Sequence, residues 1–320
     1  MHASCQRAPP EARSPYGPAG SDFRHIWTYD RASRTRPRQP KEPTVTDSEQ
    51  VRSPADVDTT KPSVARVYDY MLGGKDNFEI DRQVAQMALQ IAPDAPEAAR
   101  SNRDFLARVV RDLAGEAGIR QFLDLGSGLP TQGNVHEIAQ TAAPGCRVVY
   151  VDHDPIVLVH ARALLAVDDG TTVIKADIRE PDDILDHPET RQLIDLDEPV
   201  GLLLFGILHH LSDEEDPAGL AARLVRRLAP GSHVAISHFH NPMEEHPEVS
   251  RQAFEAERLF NDTMGTGRWR TRAEISAFFD GLELLEPGLV PLAEWRPEPG
   301  YHPRLGITYH TFLGGVGRKP

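Results

Sequence analysis

The stretch Phe122-Leu-Asp-Leu-Gly-Ser-Gly-Leu-Pro-Thr-Gln-Gly133 constrains this chain more than any other. An apolar, strand-like segment breaks on Gly126-Ser127-Gly128 and runs into helix-compatible sequence from Asn134. Glycines in such a turn let a ligand approach the backbone, and the following helix offers free amide groups at its N-terminus. This is the architecture of a nucleotide site. A dinucleotide fingerprint would place a third glycine where Thr131 stands, so the kind of nucleotide must be read from the strands that follow.

Those strands repeat one pattern. Arg147–Val151 closes on Asp152-His153-Asp154-Pro155, and Asp152 lies 24 residues after Gly128, room for one helix and two short turns. In a parallel sheet that spacing sets the Asp152 carboxylate beside the glycine turn, where it can accept both hydroxyls of a ribose. Thr172–Lys175 ends in Ala176-Asp177-Ile178. There Asp177 is placed to accept from an adenine amino group and Ile178 to pack on the ring. Val200–Phe205 ends in Gly206-Ile-Leu-His-His-Leu211. Every strand carries its glycine or polar punctuation at its C-terminal end, where open α/β sheets bind ligands.

Taken together, these motifs resemble those of class I S-adenosylmethionine-dependent methyltransferases. The residues concerned are FLDLGSG, VVYVDHDP, ADI, the LHHL segment and Leu228-Ala-Pro-Gly-Ser232. Tyr68-Asp-Tyr-Met-Leu-Gly-Gly-Lys-Asp-Asn77, FLDLGSGLPTQGNVHE and YVDHDPIVLVHARALL narrow the resemblance to an actinobacterial family of S-adenosyl methyltransferases of unassigned substrate. It extends from about Lys61 to the C-terminus. The resemblance implies an α/β, Rossmann-like, doubly wound sheet of seven strands with an antiparallel last strand and an N-terminal helical cover. It also implies S-adenosyl-L-methionine as cofactor. On that reading the candidate cofactor-binding residues are Gly126, Ser127, Gly128, Asp152, His153, Asp177, Ile178, Phe205, Gly206, Tyr68 and Arg103.

Composition sets outer limits. Hydrophobic content of 39% supports a core, and no apolar run approaches the roughly 20 residues of a membrane helix. Met1–Arg7 lacks the apolar core of a signal peptide. Cys5 and Cys146 sit in unrelated contexts, so a reducing, cytoplasmic setting is expected. A net charge of −13 argues against a broad nucleic-acid footprint, which leaves a small-molecule methyl acceptor as the expected partner.

Residues 1–60 are rich in Pro, Arg, Ser and Thr and read as a disordered tail, with Arg24–Lys41 as a basic patch and Val45 as an alternative start. Residues 61–118 read as a helical lid. The first helix begins near Ser63 and is stopped by Gly73-Gly74. The second covers Glu79–Ile91, and the third runs from about Ala98 to Ala114 with Phe105, Leu106, Val109, Val110 and Leu113 on its apolar face. Residues 119–320 read as the cofactor-binding core. Gly231–His238 is its fifth strand, and a helical insertion covers about 245–270, centred on Pro247–Met264. Leu282–Leu292 and Tyr309–Val316 are the last two strands.

Each candidate has a plain structural alternative. Asp152 could be a helix cap, although Asp154, followed by Pro155, suits that role better. Arg103 could pair with the methionine carboxylate or lie on a solvated helix face. Tyr68, Asp69, Tyr70, Gly73, Gly74 and Asn77 read as either a lid or a helix with its glycine stop. His209 and His210 are candidates for a general base because imidazole titrates near neutrality, but the LHHL segment is shared by enzymes with very different acceptors. His187, His238, His240 and His246 lack metal-ligand spacing, so no metal is expected. Trp269, Trp295 and Tyr301 lie where an acceptor pocket or a buried core would form. Two further readings stay open: a non-catalytic binder of S-adenosylmethionine or S-adenosylhomocysteine, and an NAD(P)-dependent oxidoreductase. The second would need a GxGxxG turn and a Tyr-Lys pair, and neither is visible.

Overall fold

Residues 58–320 are described by the computed structural model, except 131, 132, 166–168, 302 and 304. The expected tail, apart from its last three residues, lies outside the described residues, as do the basic patch, Val45 and Cys5.

Five short apolar runs form the parallel strands β1 (Gln121–Leu125), β2 (Arg147–Asp152), β3 (Thr171–Lys175), β4 (Gly201–Phe205) and β5 (His233–Phe239). Helices fill the gaps and flank the sheet: α1 (Val64–Met71), α2 (Glu79–Ile91), α3 (Ala95–Gly115), α4 (Val135–Ala142), α5 (Pro155–Leu165), α6 (Pro181–Leu185), α7 (Pro188–Leu193), α8 (Pro217–Arg227), α9 (Pro247–Met264), α10 (Arg272–Ser276) and α11 (Ile307–His310). The chain closes with β6 (Glu283–Leu284), β7 (Val290–Pro291) and β8 (Phe312–Arg318). Strand order is β3-β2-β1-β4-β5-β8-β6, with β7 also pairing to β8. β8 runs antiparallel to β5, in the register Phe239↔Phe312 through His233↔Arg318.

Among the described residues the sheet has eight strands, where the resemblance implied seven. Leu282–Leu292 does not extend as one strand. It breaks around Glu286-Pro287-Gly288 into β6 and β7, because a proline cannot donate to the ladder and Gly288 takes φ +91°. The last strand also starts later than expected, since residues 307–310 coil into α11.

Alternation along the strands builds two cores. Leu123, Leu125, Val149, Val151, Leu202 and Leu204 face one side and meet Ile184 and Leu185 of α6, Leu220 and Leu224 of α8, and Ile275 of α10. Phe122, Val148, Tyr150, Leu203 and Phe205 face the other and meet Phe105, Leu106, Val109 and Leu113 of α3, Val135 and Ala139 of α4, and Leu158 of α5. Layers on both faces leave the C-terminal strand ends as the edge where a ligand can reach the backbone.

A third, smaller core joins α1 and α2 to α9 through Val67, Met71, Val84, Ala85 and Ala88, with Leu259, Phe260 and Met264 packed against them. A buried ion pair fixes it: Arg66 Nε lies 2.7 Å from Asp81 Oδ2, and both side chains are almost wholly buried. Asp81 also accepts the backbone N–H groups of Ser63 (2.9 Å) and Phe78 (2.8 Å). Asp69 anchors the loop after α1, accepting from Asp76 N (2.9 Å) and Asn77 Nδ2 (2.7 Å). The YDYMLGGKDN stretch thus gives Asp69 and Asn77 to its own loop. Among the described residues no helix is long and apolar enough to cross a membrane.

Candidate functional site

The site is built from three strand ends. After β1 the chain turns through Gly126 (φ +72°) and Gly128 (φ +67°), left-handed conformations that side chains resist. Gly126 and Ser127 donate to Val151 O at 2.8 and 3.2 Å, tying the turn to β2. A Cβ on Gly126 would lie 2.6 Å from Ile207 Cδ1, whereas one on Gly128 would meet nothing within 4 Å among the described residues. The open space beside the turn therefore lies at Gly128.

Asp152, at the end of β2, closes that space. Its Oδ2 accepts Gly128 N–H at 2.9 Å and its Oδ1 accepts Asp154 N–H at 2.9 Å. Burial pushes its carboxyl above the usual range, opposed by these two backbone donors. His153, exposed, lies 3.8 Å away through Nδ1. Asp154 caps the next helix, accepting from Ile156 N (2.9 Å), and also receives Ser63 Oγ at 2.7 Å from the cover.

Asp124 is a residue that the sequence reading passed over. It is 5% exposed on β1, two residues before Gly126, and no described side chain hydrogen-bonds to it. Burial raises its carboxyl to about 7, the Arg103 guanidinium opposing and the Asp152 charge adding to the rise. Its signal was visible as an acid inside the otherwise apolar run FLDL. Arg103 itself donates Nη2 to Gly133 O at 2.8 Å, so it reaches over the glycine turn from α3.

The remaining candidates separate. Ile178 is buried beside Leu208 and Leu211. Asp177 is half-buried and bound to Arg179, through the Arg179 backbone N–H at 2.9 Å and the guanidinium at 3.2 Å. Phe205 turns its ring into the core, 5.2 Å from that of Phe105, and so presents only backbone to the strand end. Gly206 follows with φ +65°. The Tyr68 hydroxyl is engaged by Ala99 O (3.0 Å) and Asn102 Nδ2 (3.2 Å).

The two histidines are poor bases as placed. His209 is 2% exposed and stacks on Phe239, with ring centroids 3.6 Å apart. Its Nδ1 accepts Phe239 N–H at 3.2 Å, and burial holds its pKa well below the usual value. Burial lowers His210 to about 4, and its Nδ1 has no hydrogen-bond partner among the described residues. His238 is committed to Phe239 O (2.7 Å) and to Arg270 Nη1 (3.0 Å). Among the described residues no group of three or more His, Cys, Asp or Glu is arranged to hold a metal ion.

A cavity of about 840 Å³ lies along α3, where Pro93, Asp94, Ala98 and Ser101 face Leu292, Tyr309 and Phe312. It is separate from the glycine turn but adjoins the strand ends through Phe312, whose ring is 5.1 Å from that of Phe239 and 5.9 Å from that of His209. Trp295 is fully buried against Phe105, ring centroids 5.5 Å apart, Trp269 stacks on Phe239 at 4.2 Å, and Tyr301 lines the cavity while 39% exposed.

A left-handed glycine turn, an acid at the end of the second strand and an antiparallel last strand define a nucleoside-binding Rossmann-like fold of the methyltransferase type. Residues 50–320 match the family described as S-adenosyl methyltransferase, and the chain belongs to that family. It is similar to a crystal structure from Thermobifida fusca assigned as a methyltransferase, at 46% identity and a TM-score of 0.77, covering 84% of this chain and 99% of that one. A DUF574 family protein of Streptomyces avermitilis is similar at 42% identity and a TM-score of 0.77, covering 82% and 99%. No curated protein matches the chain. The protein is thus an S-adenosylmethionine-dependent methyltransferase. The open face of Gly128, the Asp124 carboxyl, without a hydrogen-bond partner among the described residues, and the strand-end acid Asp152 suit a ligand that is ribose in one part and cationic in another.

One pH effect follows. The folded chain keeps the Asp124 proton up to about 7, whereas an unfolded aspartate releases it near 4. The stability this contributes is complete below about 4 and is lost as pH rises through about 7. A cationic ligand group beside Asp124 favours the ionised form. Affinity for S-adenosylmethionine should therefore climb by up to about tenfold per pH unit below the carboxyl's pKa and then level off. Calorimetry across pH checks this, and Asp124→Asn should flatten the profile.

Proposed function

We propose that the chain transfers a methyl group from S-adenosylmethionine to a small-molecule acceptor held in the cavity along α3. The observation that carries this reading is the cavity itself. At about 840 Å³ it has the size of a drug-like ligand site, and Phe312 links its wall to Phe239 at the end of β5 and to His209 in the segment after β4. When bound, the cofactor supplies a sulfonium-activated methyl group. In this reading Asp152 holds the ribose hydroxyls, Gly126–Gly128 admit the cofactor to the backbone, and Asp124 and Arg103 meet its charged amino-acid end. Ile178, Asp177 and His153 border the adenine.

Direct in-line displacement asks the protein for orientation and exclusion of water rather than for a covalent intermediate. Phe239, Trp269 and Phe312 supply an apolar wall for that purpose. His209, neutral and with Nδ1 occupied, takes no proton in this scheme. Cys146, a buried free thiol, suits a reducing cytoplasmic setting, which belongs to the same proposal.

Ser101 lines the cavity on a half-buried turn of α3. Ser101→Trp should fill the acceptor space and lower transfer of labelled methyl groups into a cell extract by at least about tenfold. Affinity for S-adenosylhomocysteine should stay within about twofold. Undiminished transfer would place the acceptor elsewhere.

A further inference from the structure

Two polar side chains above the end of β4, Asn102 and His209, have no part in the cofactor contacts just described. Asn102 is 5% exposed on the apolar face of α3 that continues through Phe105, Leu106 and Val109. Burial of an amide there requires partners, and they form a chain with one direction. The Ala99 carbonyl can only accept, so the Tyr68 hydroxyl donates to it at 3.0 Å. Tyr68 then accepts from Asn102 Nδ2 at 3.2 Å. That fixes the amide and turns Oδ1 toward Ser237, whose hydroxyl donates at 2.7 Å. Among the described residues nothing takes the second N–H of Asn102.

His209 is fixed by the same logic. The backbone N–H of Phe239 can only donate, so Nδ1 accepts it, and the network assigns the proton of the neutral ring to Nε2. Among the described residues none hydrogen-bonds to Nε2. The stack on Phe239 prevents the ring from turning away.

Both unspent donors border one place. A Cβ built on Gly206 would find Asn102 Nδ2 at 3.6 Å and His209 Nε2 at 4.0 Å, with no atom closer than 3.6 Å. We infer that Asn102 and His209 form a two-donor site in front of Gly206 for a lone-pair or anionic oxygen, with a carboxylate as the matching ligand chemistry. Preorganised donors beside one point select oxygen and disfavour an ammonium group. The inference rests on the cofactor reading above. It leaves two sources for the oxygen: the amino-acid carboxylate of the cofactor, or a carboxylate on a molecule in the adjoining cavity.

The test uses the full chain labelled with ¹⁵N, following the Asn102 Nδ2 and His209 Nε2 resonances together with calorimetric affinities. The probes are S-adenosylhomocysteine, 5′-methylthioadenosine (which lacks the amino-acid end), and sodium benzoate added to the S-adenosylhomocysteine complex. If the cofactor supplies the oxygen, S-adenosylhomocysteine shifts both resonances and 5′-methylthioadenosine does not. His209→Phe, which keeps the stack, and Asn102→Leu then each weaken S-adenosylhomocysteine by about tenfold to a hundredfold and leave 5′-methylthioadenosine within about twofold. If the cavity ligand supplies it, benzoate alone shifts the pair and the variants bind S-adenosylhomocysteine as wild type. Resonances unmoved by all three probes overturn the inference. Should Asn102→Leu fail to fold, the wild-type spectra and His209→Phe decide. Failure of wild type to bind either nucleoside overturns the cofactor placement instead.

Discussion

Asp152→Ala is expected to weaken binding of S-adenosylmethionine by roughly a hundredfold, equivalent to about 2.7 kcal/mol. Two losses combine. The proposed ribose contact disappears, a charge-assisted hydrogen bond that contributes about 1.5–3 kcal/mol. The turn also loses its tether, because Gly128 N–H and Asp154 N–H both end on this carboxylate. Asp152→Asn separates the two, since the amide oxygen can still accept from Gly128. Its affinity should fall between those of wild type and Asp152→Ala in calorimetric titration. A variant that bound as tightly as wild type would remove Asp152 from the site.

Arg66→Ala is expected to cost about 3–5 kcal/mol, the penalty for leaving one member of a buried ion pair without its partner. Asp81 is then left in the cover with only the backbone donors of Ser63 and Phe78. Because α1, α2 and α9 share a small core, the loss should appear first as local opening. Amide exchange across α1 and α2 should accelerate strongly, while β1 and β4 exchange as in wild type. Replacing both partners, as in Arg66→Met with Asp81→Leu, should recover much of the stability, because no unpaired charge remains. Uniform acceleration through the sheet would show instead that the cover and the sheet open together.

The sequence carried the sheet and its site unevenly. α2 and α9 are bounded in the structure as expected, at Glu79–Ile91 and Pro247–Met264, because apolar periodicity there is flanked by proline or glycine stops. Parallel strands announced themselves as unbroken apolar runs with glycine or acid at one end. The edge beyond β5 was less legible. β6 and β7 are two residues each, too short for any periodicity, and β8 is built on Gly314, Gly315 and Gly317, which carry no hydrophobic signal.

At the site, a motif reading brought Gly126, Gly128 and Asp152 to one place, since consecutive parallel strands force their ends together. Asp124 was overlooked because it lies inside the strand rather than in the turn. Asn102 and Ser237 come from segments 135 residues apart, so their pairing has no local signature. What marks Asn102 in the sequence is a polar residue in the apolar register of α3. The cavity, formed by α3 and the last thirty residues of the chain, needed the tertiary structure to be seen at all.

A crystal structure of the full chain with S-adenosylhomocysteine tests the central claim most directly. The account predicts the ligand along the C-terminal ends of β1, β2 and β4, its ribose on Asp152, its backbone approach at Gly128 and its amino-acid end toward Asp124. Ligand found instead within the cavity along α3, or away from Gly128 and Asp152, would contradict it.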